Sequence, residues 1–276
     1  MRIFSSLVYL WLFLNAVSLW GYSDILWTKS KILYRHGVSG SFLENFFYQL
    51  VWHPQRFNCI FSIHLIAALL GILDKRWSFI PRIAAWATGL IIFYSAVGVF
   101  NSGLLLMILM ALFCSMVYTK AVSHYGIALS NAARIACLIQ LAIVYFTAGV
   151  YKASGTQWLD GSALYYTAHI EHFSSPWMRE FFTYHFFLSK LLTWFSLAYQ
   201  LLFPLFLFIK KGRWIFLTLG IAFHLFIGIF MHLWDFATAM IVCYVLLIDD
   251  SFWKTTLFSK NRFLRKMAGN KEVRIQ

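Results

Sequence analysis

The stretch from Trp214 to Ile248 reads WIFLTLGIAFHLFIGIFMHLWDFATAMIVCYVLLI. An α-helix rises about 1.5 Å per residue, so about 20 apolar residues cross the hydrocarbon core of a bilayer. The stretch is therefore too long for one crossing, yet it contains few polar side chains at which to divide it. The cluster His232-Leu-Trp-Asp235 predicts a break between two transmembrane helices.

The composition of the whole chain is that of a membrane protein. Of its 276 residues, 61% are hydrophobic and only 12% are charged, and the mean hydropathy is +0.70. Soluble domains carry about 25% charged residues. Aromatic residues make up 20% of the chain, which suits the rings that gather at membrane–water interfaces. This composition excludes a disordered chain, a soluble single-domain enzyme and a small disulfide scaffold.

The same length criterion, applied along the chain, predicts an all-α fold: a polytopic integral membrane helical bundle of about eight transmembrane helices. The predicted spans are 3–22, 57–73, 81–100, 103–119, 135–151, 188–209, 214–232 and 236–253. A second break, at Asn101-Ser102-Gly103, separates the third span from the fourth. The first span also resembles a signal peptide, but its apolar run is long and no A-x-A-like site follows, which favours a retained span. We expect one transmembrane domain over 1–253 and a basic cytoplasmic tail over 254–276.

The basic residues predict the orientation in the membrane. The formal net charge is +13, but no nucleic-acid recognition motif accompanies it, so we expect no nucleic-acid partner. Lys and Arg concentrate in the cytoplasmic loops of membrane proteins. With the N-terminus inside, the cytoplasmic segments carry more than twice as many Lys and Arg residues as the outer segments. Both termini should therefore lie in the cytoplasm.

The metal-ligand residue types do not form a metal-site pattern. The four cysteines have no CxxC spacing and lie in apolar runs, which predicts buried packing thiols: Cys59, Cys114, Cys137 and Cys243. His169 and His172 form an H-x-x-H pair beside Glu171, but the spacing supplies no third ligand. We predict no metal site.

The fifth predicted span is the most unusual, because its polar side chains lie on two neighbouring helical faces. It reads RIACLIQLAIVYFTAGVYK over 134–152. Three of them share one helical face: Gln140, Thr147 and Tyr151. Tyr145 and Lys152, seven residues apart, share a neighbouring face, and Gly149 lets another helix approach closely. Ionisable groups at membrane depth are costly and mark functional sites, whereas a lysine at a helix end also serves as an interfacial anchor; both interpretations of Lys152 stay open.

His224 lies about half-way along the seventh span. Its ring nitrogens would find no hydrogen-bond partner in lipid. We therefore expect His224 to face the protein interior, within reach of the polar residues of the fifth span. A role in packing alone, with a hydrogen bond to a neighbouring helix, explains the same position.

The motif Gln140-x4-Tyr145-x3-Gly149-x2-Lys152, followed by Trp158-Leu-Asp160-Gly161, resembles the signature of a known membrane domain. That domain belongs to the vitamin K-dependent gamma-carboxylase and recurs in bacteria as the horizontally transferred transmembrane (HTTM) family. The resemblance covers about 90–250 and is most specific over 140–161.

The resemblance implies a chemistry for these residues. In the carboxylase, the lysine that matches Lys152 deprotonates a quinol, and the oxygenated quinol then forms a glutamyl carbanion that captures carbon dioxide. By this resemblance Lys152, Tyr145 and His224 are candidate catalytic residues and a membrane quinol is the candidate cofactor. The candidate substrate- or cofactor-binding residues are Gln140, Gly149, Trp158, Gly161, His169 and His172.

Two departures from the carboxylase direct the comparison to another branch of the family. Tyr151 stands where the carboxylase has a second lysine, and we expect no large extracytoplasmic domain after the spans. In its length this chain resembles proteins of the sporulation-delaying-protein B type. Members of that type accompany exported antimicrobial peptides and are needed to mature them. This resemblance implies a multi-pass protein of the bacterial plasma membrane that matures or modifies an exported peptide, with the lipid bilayer and that peptide as partners. The alternative is a non-catalytic membrane partner, an immunity factor or a transporter subunit.

Overall fold

The computed structural model describes residues 1–22, 54–73, 79–95, 101–117, 123–207, 209, 212–248 and 252. These residues are helical and contain no strand. In chain order the helices are α1 (Arg2–Trp20), α2 (Pro54–Ile72), α3 (Phe79–Ser95), α4 (Ser102–Ser115), α5 (His124–Ala153), α6 (Thr156–Leu159), α7 (Ala163–Ala168), α8 (Pro176–Tyr184), α9 (Phe186–Phe206), α10 (Arg213–Met231) and α11 (Trp234–Tyr244), with 3₁₀ turns at Glu171–Phe173 and Val245–Leu247.

Eight of these helices are apolar and overlap the predicted spans, although α11 ends at Tyr244 and is shorter than the span predicted over 236–253. Five are long and apolar enough to cross a membrane, namely α1, α2, α5, α9 and α10. Three are shorter, namely α3, α4 and α11. The chain thus has the all-helical architecture of a membrane protein, as its composition predicts. The predicted tail, 254–276, lies outside the described residues.

Both predicted breaks are confirmed, and they lie against each other. α10 ends at Met231 and α11 begins at Trp234, while α4 begins one residue after Asn101. A Cβ atom on Gly103 would lie 2.7 Å from the Cα of Phe236. Asn101 caps α4 by accepting a hydrogen bond from the Leu104 N–H at 2.6 Å. Glycine is therefore required at position 103, because α4 begins in direct contact with the backbone of α11.

α5 differs most from its predicted span, since it begins at His124 and not near residue 135. The Ser123 side chain accepts a hydrogen bond from the Gly126 N–H and caps this earlier start. With 30 residues, α5 is about 45 Å long, which exceeds the hydrocarbon thickness of about 30 Å. A hydropathy criterion detects only the apolar part of such a helix.

The buried residues of α5 identify the face that meets the protein. They recur at every fourth position: Ala133, Cys137, Leu141, Tyr145 and Gly149. Such a row forms the ridge by which helices pack. The isoleucines at 135, 139 and 143 are exposed, as expected of a surface that faces lipid.

The cysteine prediction is correct for three residues and wrong for one. Cys114, Cys137 and Cys243 are buried, whereas Cys59 on α2 is exposed. In a membrane protein the lipid-facing and buried faces are both apolar, so an apolar run does not reveal which face a cysteine occupies.

Candidate functional site

A cavity of about 660 Å³ lies between α5, α9 and α10. The short helices α6 and α7 and the turn between α10 and α11 complete its wall. The lining residues are Ala148, Lys152, Trp158, Leu164, Thr167, Leu192, Thr193, Phe195, Ser196, Gln200, Leu219, Ala222, Phe223, Phe226, Ile227, Met231, Leu233 and Phe236. Cavities of about 300–1,000 Å³ hold drug-sized ligands, so this cavity suits one molecule of moderate size.

Lys152 supplies the only charged side chain among these lining residues. Its Nζ donates a hydrogen bond to Oε1 of Gln200 at 2.9 Å and lies 4.9 Å from the centre of the Trp158 ring. Helical side chains lean toward the N-terminus of their helix, which directs Lys152 back along α5 into the cavity. The amine is thus held by an amide oxygen and an aromatic face, with no carboxylate among the residues that line this cavity.

Gln200 is positioned by α9, and the sequence analysis did not single it out. Thr193, Ser196 and Gln200 follow the i, i+3, i+7 spacing of one helical face, and all three line the cavity. α9 comes close to α5 because position 149 is glycine: a Cβ there would lie 2.8 Å from the Leu201 side chain. This bears out the close approach predicted at Gly149. An amide within an apolar span is the signal that identifies Gln200 as a candidate.

A hydrogen-bonded group of aromatic side chains lies deeper in the bundle. Tyr145 Oη lies 2.6 Å from Nε2 of His224 and 2.5 Å from Oη of Tyr244. Oη of Tyr244 in turn lies 2.9 Å from Oη of Tyr199. All four side chains are buried. The prediction that His224 faces the interior, within reach of the fifth span, is confirmed.

Gly220 makes room for this group. A Cβ atom on Gly220 would lie 2.1 Å from Oη of Tyr199 and 2.2 Å from Oη of Tyr244. The Tyr145 ring stacks on Phe203, with ring centroids 3.8 Å apart. The hydroxyl groups therefore lie directly against the backbone of α10, in a pocket closed by aromatic rings.

The loop after α5 forms the outer wall of the cavity. The Ser162 hydroxyl and N–H both donate to Oδ1 of Asp160, and these hydrogen bonds hold the pKa of Asp160 below its usual range. Gly161 has φ +85° and fits against Trp194 and Lys190. Only glycine adopts this conformation readily. Gly161 shapes the turn between α6 and α7, but it does not line the cavity.

Three further predicted site residues lie away from the cavity wall. Gln140 is half-buried, twelve residues before Lys152, which corresponds to about 18 Å along α5. His169 is exposed, and its Nδ1–H donates to the Tyr165 carbonyl at 2.8 Å. His172 is exposed on the 3₁₀ turn. Their assignment as binding residues stays a prediction.

No group of three His, Cys, Asp or Glu side chains that could hold a metal ion occurs within the described ranges. Comparisons with protein-family models, with curated proteins and with solved structures give no match to this chain.

Proposed function

We propose that this chain is a multi-pass membrane enzyme in which Lys152 transfers a proton to or from a lipid-soluble ligand in the cavity. In this proposal it belongs to the gamma-carboxylase-like HTTM family, near the sporulation-delaying-protein B type. The ligand is a membrane quinol, and the reaction serves the maturation of an exported antimicrobial peptide (a bacteriocin). The proposal takes its substrate and family from the sequence resemblance and its reacting group from the cavity.

The observation that carries the proposal is the position of the Lys152 amine. It stands at the polar end of a cavity whose remaining wall is mainly apolar. A ligand with a polar head and an apolar body would place its head beside Lys152 and Gln200. Lysine exchanges its proton more readily than arginine, and it serves as a base when it is withdrawn from water.

The surroundings of the cavity support a ligand that arrives from the bilayer. Leu219 and Ala222 line the cavity and are also exposed at the surface of α10. The cavity therefore reaches the outside of the bundle between α9 and α10, on an apolar surface. A quinol dissolved in lipid would enter there without crossing water.

The proposed membrane arrangement has eight crossings, with α3, α4 and α11 as short spans. Helices shorter than the bilayer are accommodated by local thinning or by flanking side chains. We propose a bacterial plasma membrane location with both termini in the cytoplasm, as the distribution of Lys and Arg predicts. This orientation puts the Lys152 end of α5 near the outer face, where an exported peptide would be modified.

Substitution of Lys152 tests the proposal. Lys152→Arg keeps the positive charge and the length, but arginine effectively stays protonated in proteins. We expect Lys152→Arg and Lys152→Ala to insert normally and to lose activity by about 100-fold or more, the usual contribution of a general acid or base. The measurement is maturation of a secreted peptide encoded beside this gene, followed by mass spectrometry and normalised to the membrane level of each variant.

Lys190→Arg is the matched control. Lys190 also lies over aromatic rings, those of Phe186 and Trp194, but it does not line the cavity. This variant should mature the peptide like the wild type. Full activity of Lys152→Arg would reject proton transfer and leave an anchoring lysine, as in a non-catalytic membrane partner.

A further inference from the structure

The buried tyrosines and His224 form one continuous hydrogen-bonded chain. It runs from His224 through Tyr145 and Tyr244 to Tyr199, with successive distances of 2.6, 2.5 and 2.9 Å. Beyond it, the Tyr199 hydroxyl donates to the backbone carbonyl of Phe216 at 3.3 Å. This hydrogen-bonded chain crosses the interior from α10 to α5, then to α11 and α9, and returns to α10.

These four hydrogen bonds can exist together in only one arrangement of protons. Each tyrosine has one hydroxyl hydrogen, and that of Tyr199 is used by the Phe216 carbonyl. Tyr244 must therefore donate to Tyr199, and Tyr145 must donate to Tyr244. The remaining bond, between Tyr145 and His224, must then be donated by the Nε2–H of the imidazole. Every donor in the chain consequently points away from His224.

This arrangement leaves Nδ1 of His224 as a bare proton acceptor. Nδ1 is buried and has no hydrogen-bond partner among the residues that the structure describes, and a neutral imidazole with hydrogen on Nε2 carries a lone pair there. The rings of Phe223 and Phe236 contact His224 and also line the cavity. The acceptor end of the chain therefore lies next to the cavity.

The other end of the chain lies toward the start of α10. Phe216 is in the first turns of α10, and a small cavity of about 10 Å³ is lined by Phe216, Leu217 and Arg213. In the orientation proposed above, Arg213 belongs to a cytoplasmic segment. The chain thus points from the ligand cavity toward the cytoplasmic end of the bundle.

We propose that the His224–tyrosine chain is a one-way proton outlet for the ligand cavity. The inference rests on the proposed function: the amine of Lys152 takes a proton from a ligand hydroxyl, leaving an oxyanion and an ammonium. Lys152 then leaves Gln200 and passes one proton to Nδ1 of His224. The Nε2 proton moves to Tyr145, and Tyr145 and Tyr244 each pass their own proton to the next tyrosine. Tyr199 then turns its hydroxyl away from the Phe216 carbonyl, which cannot relay a proton, and gives its proton to a water molecule that enters at this end. No electrons move, and the starting state returns when the hydroxyl groups rotate and the His224 hydrogen is exchanged from Nδ1 back to Nε2.

The probe for this proposal is a long-chain alkyl nitrophenol, because its phenolate is coloured. Purified protein in detergent is mixed rapidly with the neutral phenol, and a second dye reports protons released to the medium. Wild-type protein should form phenolate and release a proton for each phenolate formed. Tyr244→Phe removes one oxygen from the middle of the chain, so phenolate should still form while proton release slows by about tenfold or more.

Tyr9→Phe is the matched control, since Tyr9 is also a buried tyrosine but donates only to the Ala111 carbonyl. It should release protons at the wild-type rate. Tyr199→Phe repeats the test at the far end of the chain and covers the case in which Tyr244→Phe does not fold. Absence of phenolate in the wild type would reject the proposed function and the outlet with it. Phenolate formation with unchanged proton release in the tyrosine variants would reject the outlet alone.

Discussion

At the scale of single residues, the pair of Lys152 and Gln200 sets the charge of the site. The amide oxygen of Gln200 accepts a hydrogen bond without carrying a charge of its own. A carboxylate in the same place would favour the ammonium form of the lysine, because an opposite charge within a few ångströms stabilises a charged group. If Lys152 is a base, as proposed, the identity of residue 200 decides whether its neutral form is available.

Gln200→Glu should abolish activity while the protein stays folded. The new carboxylate would pair with the lysine amine, now 2.9 Å from the Gln200 oxygen, and keep it protonated. We expect a loss of about 100-fold or more in peptide maturation, as for other losses of a general base. The assay is maturation in cells alongside the unfolding midpoint in detergent. Activity equal to that of the wild type would show that the reaction does not need a neutral lysine.

Gly220→Ala should destabilise the protein through the hydroxyl pair of Tyr199 and Tyr244. The added methyl group would overlap both hydroxyls, and overpacking of this kind costs about 1–3 kcal/mol. The measurement is the free energy of unfolding in detergent. Gly21→Ala is the control, since a Cβ at position 21 meets nothing within 4 Å. An unchanged stability of Gly220→Ala would mean that the hydroxyls move aside at little cost.

The sequence predicts part of the site because polar side chains are rare within its spans. Lys152, Tyr145 and His224 stand out from their apolar neighbours, and the structure places Tyr145 in contact with His224. Tyr199 and Tyr244 do not stand out, because tyrosine is common throughout this chain and at membrane interfaces. Whether these two tyrosines face the interior depends on how α9 and α11 are rotated about their own axes.

At the scale of the helices, hydropathy predicts positions along the chain but not rotation about the helix axis. A helix of a soluble protein shows its buried face by an apolar stripe. Here the exposed face of α5 carries isoleucines and the buried face carries Cys137, Leu141 and Gly149. Both faces are apolar, so the pattern contains no stripe. Small residues such as Gly149 are then the best sequence indication of a helix contact.

A larger side chain at position 222 should close the cavity, because Ala222 lines the cavity and is exposed at the surface of α10. Ala222→Phe places a ring at the opening that is proposed to admit the ligand. We expect the purified variant to retain about tenfold less copurifying quinone than the wild type, about the effect of losing 1.4 kcal/mol of binding. Solvent extraction followed by mass spectrometry measures the retained quinone.

Ala198→Phe is the control for this experiment. Ala198 is exposed on α9 and does not line the cavity, so this variant should retain as much quinone as the wild type. Equal retention by Ala222→Phe would place the quinone elsewhere. Absence of quinone from every preparation would count against the proposed cofactor.

At the scale of the whole molecule, α4 and α11 connect two parts of the bundle. α1, α2 and α3 pack on one side, and α5, α9 and α10 enclose the cavity on the other. α4 contacts α1, α3, α5 and α11, and its start is pressed against α11 at Gly103. The site is thus built from the second half of the chain, while the first half supports the helices behind it.

The distribution of basic residues predicts which way the whole bundle faces in the membrane. Lys and Arg are concentrated in the segments assigned to the cytoplasm, because basic loops are retained on that side during insertion. Tyr125, near the start of α5, and His172, on the 3₁₀ turn after α7, should therefore lie on opposite sides of the membrane, and both are exposed.

To test this orientation, each residue is replaced in turn by cysteine, as Tyr125→Cys or His172→Cys, in a background without the four native cysteines. An impermeant thiol reagent added to intact cells should label only His172→Cys, and permeabilised cells should show both. The opposite pattern would reverse the orientation and put Lys152 near the cytoplasmic face, where an exported peptide would have to be modified before it leaves the cell.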